Sequence, residues 1–187
     1  MPAVIYMVEC GFADPSREAE WNAWYSGAKL DQLLAVPDFL SAQRFRALDA
    51  APAPFLNATT IASPRMFTSR DYRGGGGGGF GPWSAELVID WTRRLFTGLD
   101  DIPAVPMSMR LAVLDAPPGS APDLGLAFGW LTGLGWQETA GYDDGIALDD
   151  SLPHRGLSIV DAATAAGLPA IPGLRLYEPL CPKRTRG

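Results

Sequence analysis

One stretch, residues 20–46 (E-W-N-A-W-Y-S-G-A-K-L-D-Q-L-L-A-V-P-D-F-L-S-A-Q-R-F-R), constrains this chain more than any other. It predicts a helix that opens on aromatics, a turn at Val36-Pro37-Asp38, and a strand of alternating character. Proline both lacks a backbone donor and pushes the residue before it out of helical geometry, so the helix has to stop there. Asp14-Pro15 supplies a start signal, aspartate as N-cap and proline in the first turn. Glu18 and Glu20 then place negative charge near the helix start, where the dipole favours it. The expectation is therefore one helix running from about 14 to 35. Within it Trp21, Tyr25, Lys29 and Leu33 recur every fourth residue and share one row of the helix surface. Two aromatics and an ammonium in an otherwise apolar setting are unusual for a pure core face.

This segment resembles the EthD-like branch of the dimeric α+β barrel superfamily, built on ferredoxin-like halves. Its members carry a helix of the form F/W-N-x-W-Y-x-x-x-H-x-x-x-L-L-x-V-P-G-F, followed by S-A-x-R-[FY] on a strand. Trp21, Asn22, Trp24, Tyr25, Leu33, Leu34, Val36, Pro37, Phe39, Ser41, Ala42, Arg44 and Phe45 match. Lys29 stands where the family has histidine and Asp38 where it has glycine. The resemblance implies an α+β fold with pockets between sheet and helices. It does not imply one activity: related scaffolds support polyketide cyclisation, lactone isomerisation, decarboxylation and quinol oxygenation.

Element order extends the reading. Strands are predicted at 4–12, 39–48 and 55–61, with a stiff Ala51-Pro52-Ala53-Pro54 linker before the third. Residues 84–96 read as a helix, with Leu87, Trp91 and Leu95 at spacings of four. The second part is expected to hold a strand at 109–115, a short helix at 124–134 and a hairpin at 137–148 turning on Asp143-Asp144-Gly145. A strand at 155–161, a helix at 162–166 and a strand at 174–179 complete it. Strand-helix-strand-strand-helix-strand thus occurs about twice. The expected fold is a ferredoxin-like dimeric α+β barrel fused as a tandem repeat of two halves, 1–105 and 106–180, with a mobile tail at 181–187.

Composition narrows the function classes. Of 187 residues, 47% are hydrophobic, enough for a sizeable core, and the net charge of −6 argues against a nucleic-acid surface. No apolar run is long enough to cross a bilayer, and the first residues lack a basic segment before an apolar one, so a cytoplasmic, non-membrane protein is expected. Cys10 and Cys181 read as reduced thiols. One histidine and two scattered cysteines provide little for a zinc or haem site, and no cofactor is expected.

Lys29 and Tyr25 are the candidate catalytic residues. A lysine among aromatics loses hydration, its pKa falls, and the neutral amine could take a proton or form a Schiff base. The alternative is a snorkelling lysine with its head in water. Tyr25 could orient a substrate oxygen or act as an acid, or simply pack. Trp21 and Trp24 could stack on a ligand or serve as packing. Arg44, alternating with Phe45, could face a barrel interior or form a surface ion pair. The glycine run at 74–79 lacks the features of a phosphate loop. It reads as a flexible lid over about 69–83, with Phe80 and Trp83 closing on an apolar ligand, or as a plain solvated loop. Its flank Asp71-Tyr72-Arg73 also resembles longer members of the same family. His154, the sole histidine, is a further binding candidate or a structural loop residue. Asp90 could cap a helix or pair with Arg93 or Arg94.

The combined expectation is a cofactor-independent lyase, isomerase or cyclase doing acid–base chemistry on a small apolar, aromatic or carbonyl-bearing molecule. The alternative is a non-catalytic small-molecule-binding protein. A homodimer is compatible with either.

Overall fold

In the computed structural model, which describes residues 3–74, 79–135 and 148–187, β1 (Val4–Phe12) is buried along its whole length. Both of its faces are covered, which is why it reads as a continuous apolar run rather than a clean alternation. Odd positions Ile5 and Met7 pack with Phe45, Leu56, Phe96, Leu111, Leu131, Leu157 and Tyr177 from strands all around the molecule. Even positions Tyr6 and Val8 pack instead with Leu30, Leu33, Leu34, Phe67 and Tyr72. The first set fills a barrel, the second lies between the barrel wall and the helices.

The wall comprises β1, β2 (Phe39–Ala47), β3 (Phe55–Ile61), β4 (Val88–Thr97), β5 (Met109–Leu114), β6 (Gly129–Gly133), β7 (His154–Asp161) and β8 (Leu174–Pro179). All ladders are antiparallel, in the order β3-β1-β4-β6-β7-β5-β8-β2, and β2 pairs with β3 to close the ring. Each run of four has the ferredoxin-like order, β4-β1-β3-β2 and β8-β5-β7-β6. The two runs meet through β4–β6 and β2–β8. A single chain therefore closes the barrel without a second copy. Among the described residues no helix is long and apolar enough to cross a membrane.

The helical layer departs from expectation in three places. The single helix of 14–35 is instead α1 (Glu18–Trp24), a π turn at Tyr25–Lys29, and α2 (Leu30–Ala35). Asp14 spends its carboxylate on the backbone N–H and hydroxyl of Ser16, so the helix starts later, at Glu18, with no side-chain cap. Residues 84–96 are β4 preceded by a short 3-10 turn, because a spacing of four is also an even number and suits one face of a strand. Residues 124–134 form β6 and its approach rather than a helix. Among the described residues the second half has no helix between β5 and β6, and its one α-helix is α4 (Ala162–Gly167), capped by Asp161. The hairpin expected at 137–148 falls, save its last residue, outside the described residues.

The tail expected to be mobile makes contacts with the body of the barrel. Arg184–Thr185 forms β9 on β2, Lys183 Nζ donates to Asp101 Oδ2 at 2.5 Å, and Arg184 reaches Asp31.

One end of the barrel interior is charged. Glu9 accepts from Arg155, Arg94 and the Tyr177 hydroxyl, and Arg155 forks onto both oxygens of Asp115 at 2.7 and 2.8 Å. Burial opposes ionisation of Glu9, but Arg155 and Arg94 hold its carboxyl below the ordinary value. Asp90 caps nothing and Arg94 turns to Glu9 and Asp149 instead. Asp90 is the extra residue of a β-bulge, with φ +50°, between the pairs Gly11↔Ile89 and Glu9↔Thr92.

Candidate functional site

The outer face of the first sheet and the α1–α2 segment enclose a cavity. Its lining comes from Tyr6, Val8 and Cys10 on β1, Tyr25, Lys29 and Leu33 on the helical segment, and Asn57 on β3. Tyr72 of α3 (Arg70–Gly74), Gly79-Phe80, and Val88 and Trp91 of β4 complete it. The cavity's free volume is about 30 Å³, room for a water or two. Two backbone irregularities aim these side chains. The π turn sits at Tyr25–Lys29, and the Asp90 bulge lets Val88 and Trp91, three residues apart, face the same space. Such irregularities concentrate near functional sites because they re-aim side chains that regular repeats would send elsewhere.

Lys29 is 4% exposed, and its Nζ donates to the carbonyl of Gly79 at 2.7 Å. Burial lowers its pKa to about 8. The snorkelling alternative therefore does not hold. Tyr25 is moved the other way: burial raises its pKa, so the phenol stays protonated. Burial likewise pushes the Cys10 thiol up to about 12, which leaves it a neutral wall residue.

Arg44 is not on the surface. It is 1% exposed, with its guanidinium carbon 4.1 Å from the Tyr25 ring centroid and 4.9 Å from that of Trp21. Its donors go to the Asn22 carbonyl, Asn22 Oδ1 and Ser26 Oγ, which ties the helical segment to β2.

Of the sequence-predicted residues, the cavity brings together Tyr25, Lys29, Tyr72 and Phe80. Trp21 stacks on Phe12 at 4.9 Å and is core. Trp24 and Trp83 pack edge to face behind Tyr25, where Gly81 at φ +59° lies so close that a Cβ would come within 2.4 Å of the Trp24 ring. Asp71 and Arg73 are exposed, outside the cavity. His154 begins β7 and does not line it. The flexible-lid expectation meets a helix at 70–74 and a packed segment at 79–83; residues 75–78 lie outside the described ones. Sequence reasoning missed Tyr6, Val8, Cys10, Asn57, Val88 and Trp91. An asparagine amid a β-branched strand was the available signal for Asn57. Trp91 was hidden by the helical reading of β4. Among the described residues no group of three or more His, Cys, Asp or Glu is placed to hold a metal ion.

Closed eight-stranded barrel, two ferredoxin-like sheets and helices over one outer face together define the dimeric α+β barrel class, here within one chain. No family model matches the sequence, and no curated protein does. Solved structures do. A provisionally assigned monooxygenase from Lactobacillus acidophilus NCFM superposes with a TM-score of 0.56 at 8% identity, covering 100% of this chain and 98% of that one. An anthrone oxidase-like protein gives 0.57 at 11% identity over 100% and 94%. A provisionally assigned chlorite dismutase gives 0.51 at 7% identity over 96% and 95%. At these identities the likeness establishes the fold.

Proposed function

We propose that this protein is an enzyme that moves a proton on a small aromatic or carbonyl-bearing molecule, with Lys29 as base and Tyr25 as hydrogen-bond donor. The EthD-like resemblance of residues 20–46 is part of the same reading. The observation that carries it is a lysine buried in the wall of an apolar cavity beside a tyrosine shifted in the opposite direction. Pairs of titratable groups pushed apart in this way divide base and acid roles between them. With its pKa near 8, roughly a tenth of Lys29 is neutral at pH 7.

In the step envisaged, the neutral amine takes a proton from a carbon next to a carbonyl, and the electron pair moves onto the carbonyl oxygen. The Tyr25 hydroxyl donates to that oxygen as charge builds. Return of the proton to the far carbon of the conjugated enolate completes an isomerisation. In a cyclisation the carbanion instead bonds to a second carbonyl carbon of the same molecule, whose oxygen takes the electron pair and then the proton. In either case no electrons leave the substrate. Water is kept out by Phe80, Trp91 and Tyr72. The present space is far below the about 300–1,000 Å³ of ordinary ligand pockets, so a ligand enters as Phe80 and Gly79 move outward.

A second reading rests on the same Lys29–Gly79 hydrogen bond. If the amine serves only to hold that segment shut, the protein is a carrier that binds without transforming. Exchange of an α-proton for deuterium in an aryl ketone, followed by NMR, tests the choice. Catalysed exchange in the native protein, lost in Lys29→Met, supports the enzyme. Binding with no exchange in either leaves the carrier.

A further inference from the structure

Arg44 is a buried cation with no anion beside it among the described residues. Among the described residues no carboxylate lies within ion-pairing distance of it, and its side-chain acceptors, Asn22 and Ser26, are neutral. A charge taken out of water in this way is retained against a substantial penalty unless something compensates it. Nothing in the Trp21, Tyr25 and Phe55 rings around it carries a full charge, although their faces attract a cation.

Arg44 also lies one side chain behind the cavity lining. A narrow gap, too small for water, is lined by Val8, Cys10, Tyr25, Arg44, Phe55 and Asn57. Four of these, Val8, Cys10, Tyr25 and Asn57, line the main cavity as well. Arg44 and Asn57 are directly opposite each other on β2 and β3. Each keeps one unmet group in this dry setting, Nε of Arg44 and Oδ1 of Asn57, at 1% and 4% exposure. The described lining of the main cavity contains no aspartate or glutamate.

Resting on the reading of this cavity as a ligand site, we infer that it selects a planar oxyanion, a carboxylate or phenolate, whose charge is balanced by Arg44 one side chain behind the wall. Arg44 is thus a specificity-determining and positioning residue rather than a catalytic one. Its charge acts through Tyr25, whose ring it covers and whose hydroxyl would meet the anion's oxygen. Arginine suits this place because its guanidinium stays charged and stacks flat on an aromatic ring, where an ammonium would not.

Matched probes test this by calorimetric titration: 1-naphthoate against 1-naphthalenemethanol, and 4-nitrophenolate against 4-nitroanisole at mildly alkaline pH. The native protein should prefer the charged member by about tenfold or more, as expected for a charge-assisted contact. In Arg44→Met the preference should fall to within about twofold while the neutral probe binds as before, and Arg44→Lys should restore part of it. The two pairs separate carboxylate from phenolate. No preference in the native protein, preference surviving Arg44→Met, or no binding of any probe would overturn the inference. Should Arg44→Met fail to fold, Lys29→Met decides: preference retained there supports Arg44 as its source, and preference lost assigns it to Lys29 and overturns the inference. Absence of deuterium exchange in the native protein, with its charge preference intact, removes the acid–base reading alone.

Discussion

Lys29 Nζ holds the carbonyl of Gly79 at 2.7 Å, bridging residues fifty apart in sequence. Lys29 also lines the cavity, so the residue proposed as the base is the one that hydrogen-bonds the segment beside it. Under the proposed function, freeing this amine for a substrate requires breaking that hydrogen bond.

This coupling sets the pH dependence. Burial lowers the pKa of Lys29 to about 8, and the base form is the one required. Activity should therefore rise with pH through about 8 and level off above it. Lys29→Met should lower the deuterium-exchange rate about 10²–10⁴-fold, the usual contribution of a positioned base, and abolish that rise. A rate profile of the native protein with no limb near this value would count against Lys29.

Gly81 is the second test. Its φ of +59° and a prospective Cβ contact of 2.4 Å with the Trp24 ring leave no room for a side chain. Gly81→Ala should destabilise the protein by about 1–3 kcal/mol, from backbone strain and the displaced indole. Gly119, where an added Cβ meets nothing within 4 Å, is the control, and Gly119→Ala should be near neutral. Thermal denaturation of the pair measures the difference.

Arg155 tests the barrel interior. It is 2% exposed and serves both Glu9 and Asp115. Arg155→Met leaves Glu9 buried with reduced compensation and should cost about 3–5 kcal/mol in denaturant unfolding. Adding Glu9→Gln should recover part of that loss, since the stranded charge is then gone. A single-mutant effect below about 1 kcal/mol, the level of an exposed pair, would show the network to be incidental.

Acid should weaken the fold through Glu9. Its carboxyl is held below the ordinary glutamate value of about 4.5 in the folded state, so the unfolded chain takes up the proton first. The contribution is complete above about 4.5 and is lost as pH falls through the lower folded value. Glu9→Gln should flatten the acid side of the stability curve measured by urea titration at stepped pH.

Much of the barrel was legible from residues alone. Strands at 4–12 and 55–61 could be read from β-branched runs, and the Val36-Pro37-Asp38 turn from proline. The row Tyr25, Lys29, Leu33 was visible as spacing and does line one cavity. Trp21, on the same row, turned to core, because the π turn that begins at Tyr25 breaks the regular repeat. β4 was misread because Leu87, Trp91 and Leu95 satisfy both periods. Arg44 was left between a barrel interior and a surface ion pair, because an alternating strand with charge implies a polar face, yet here that face lies beneath a helix whose neutral oxygens accept from it.

Local chemistry decided the turn at Pro37, the strands at 4–12 and 55–61 and the row shared by Tyr25, Lys29 and Leu33, since propensity and periodicity act over a few residues. Tertiary structure decided what those faces meet. The neighbour of Lys29 is fifty residues away, that of Arg155 lies across the barrel, and the pKa values follow burial. Burial and long-range pairing arise only when both sheets close, and a short sequence window contains no measure of either.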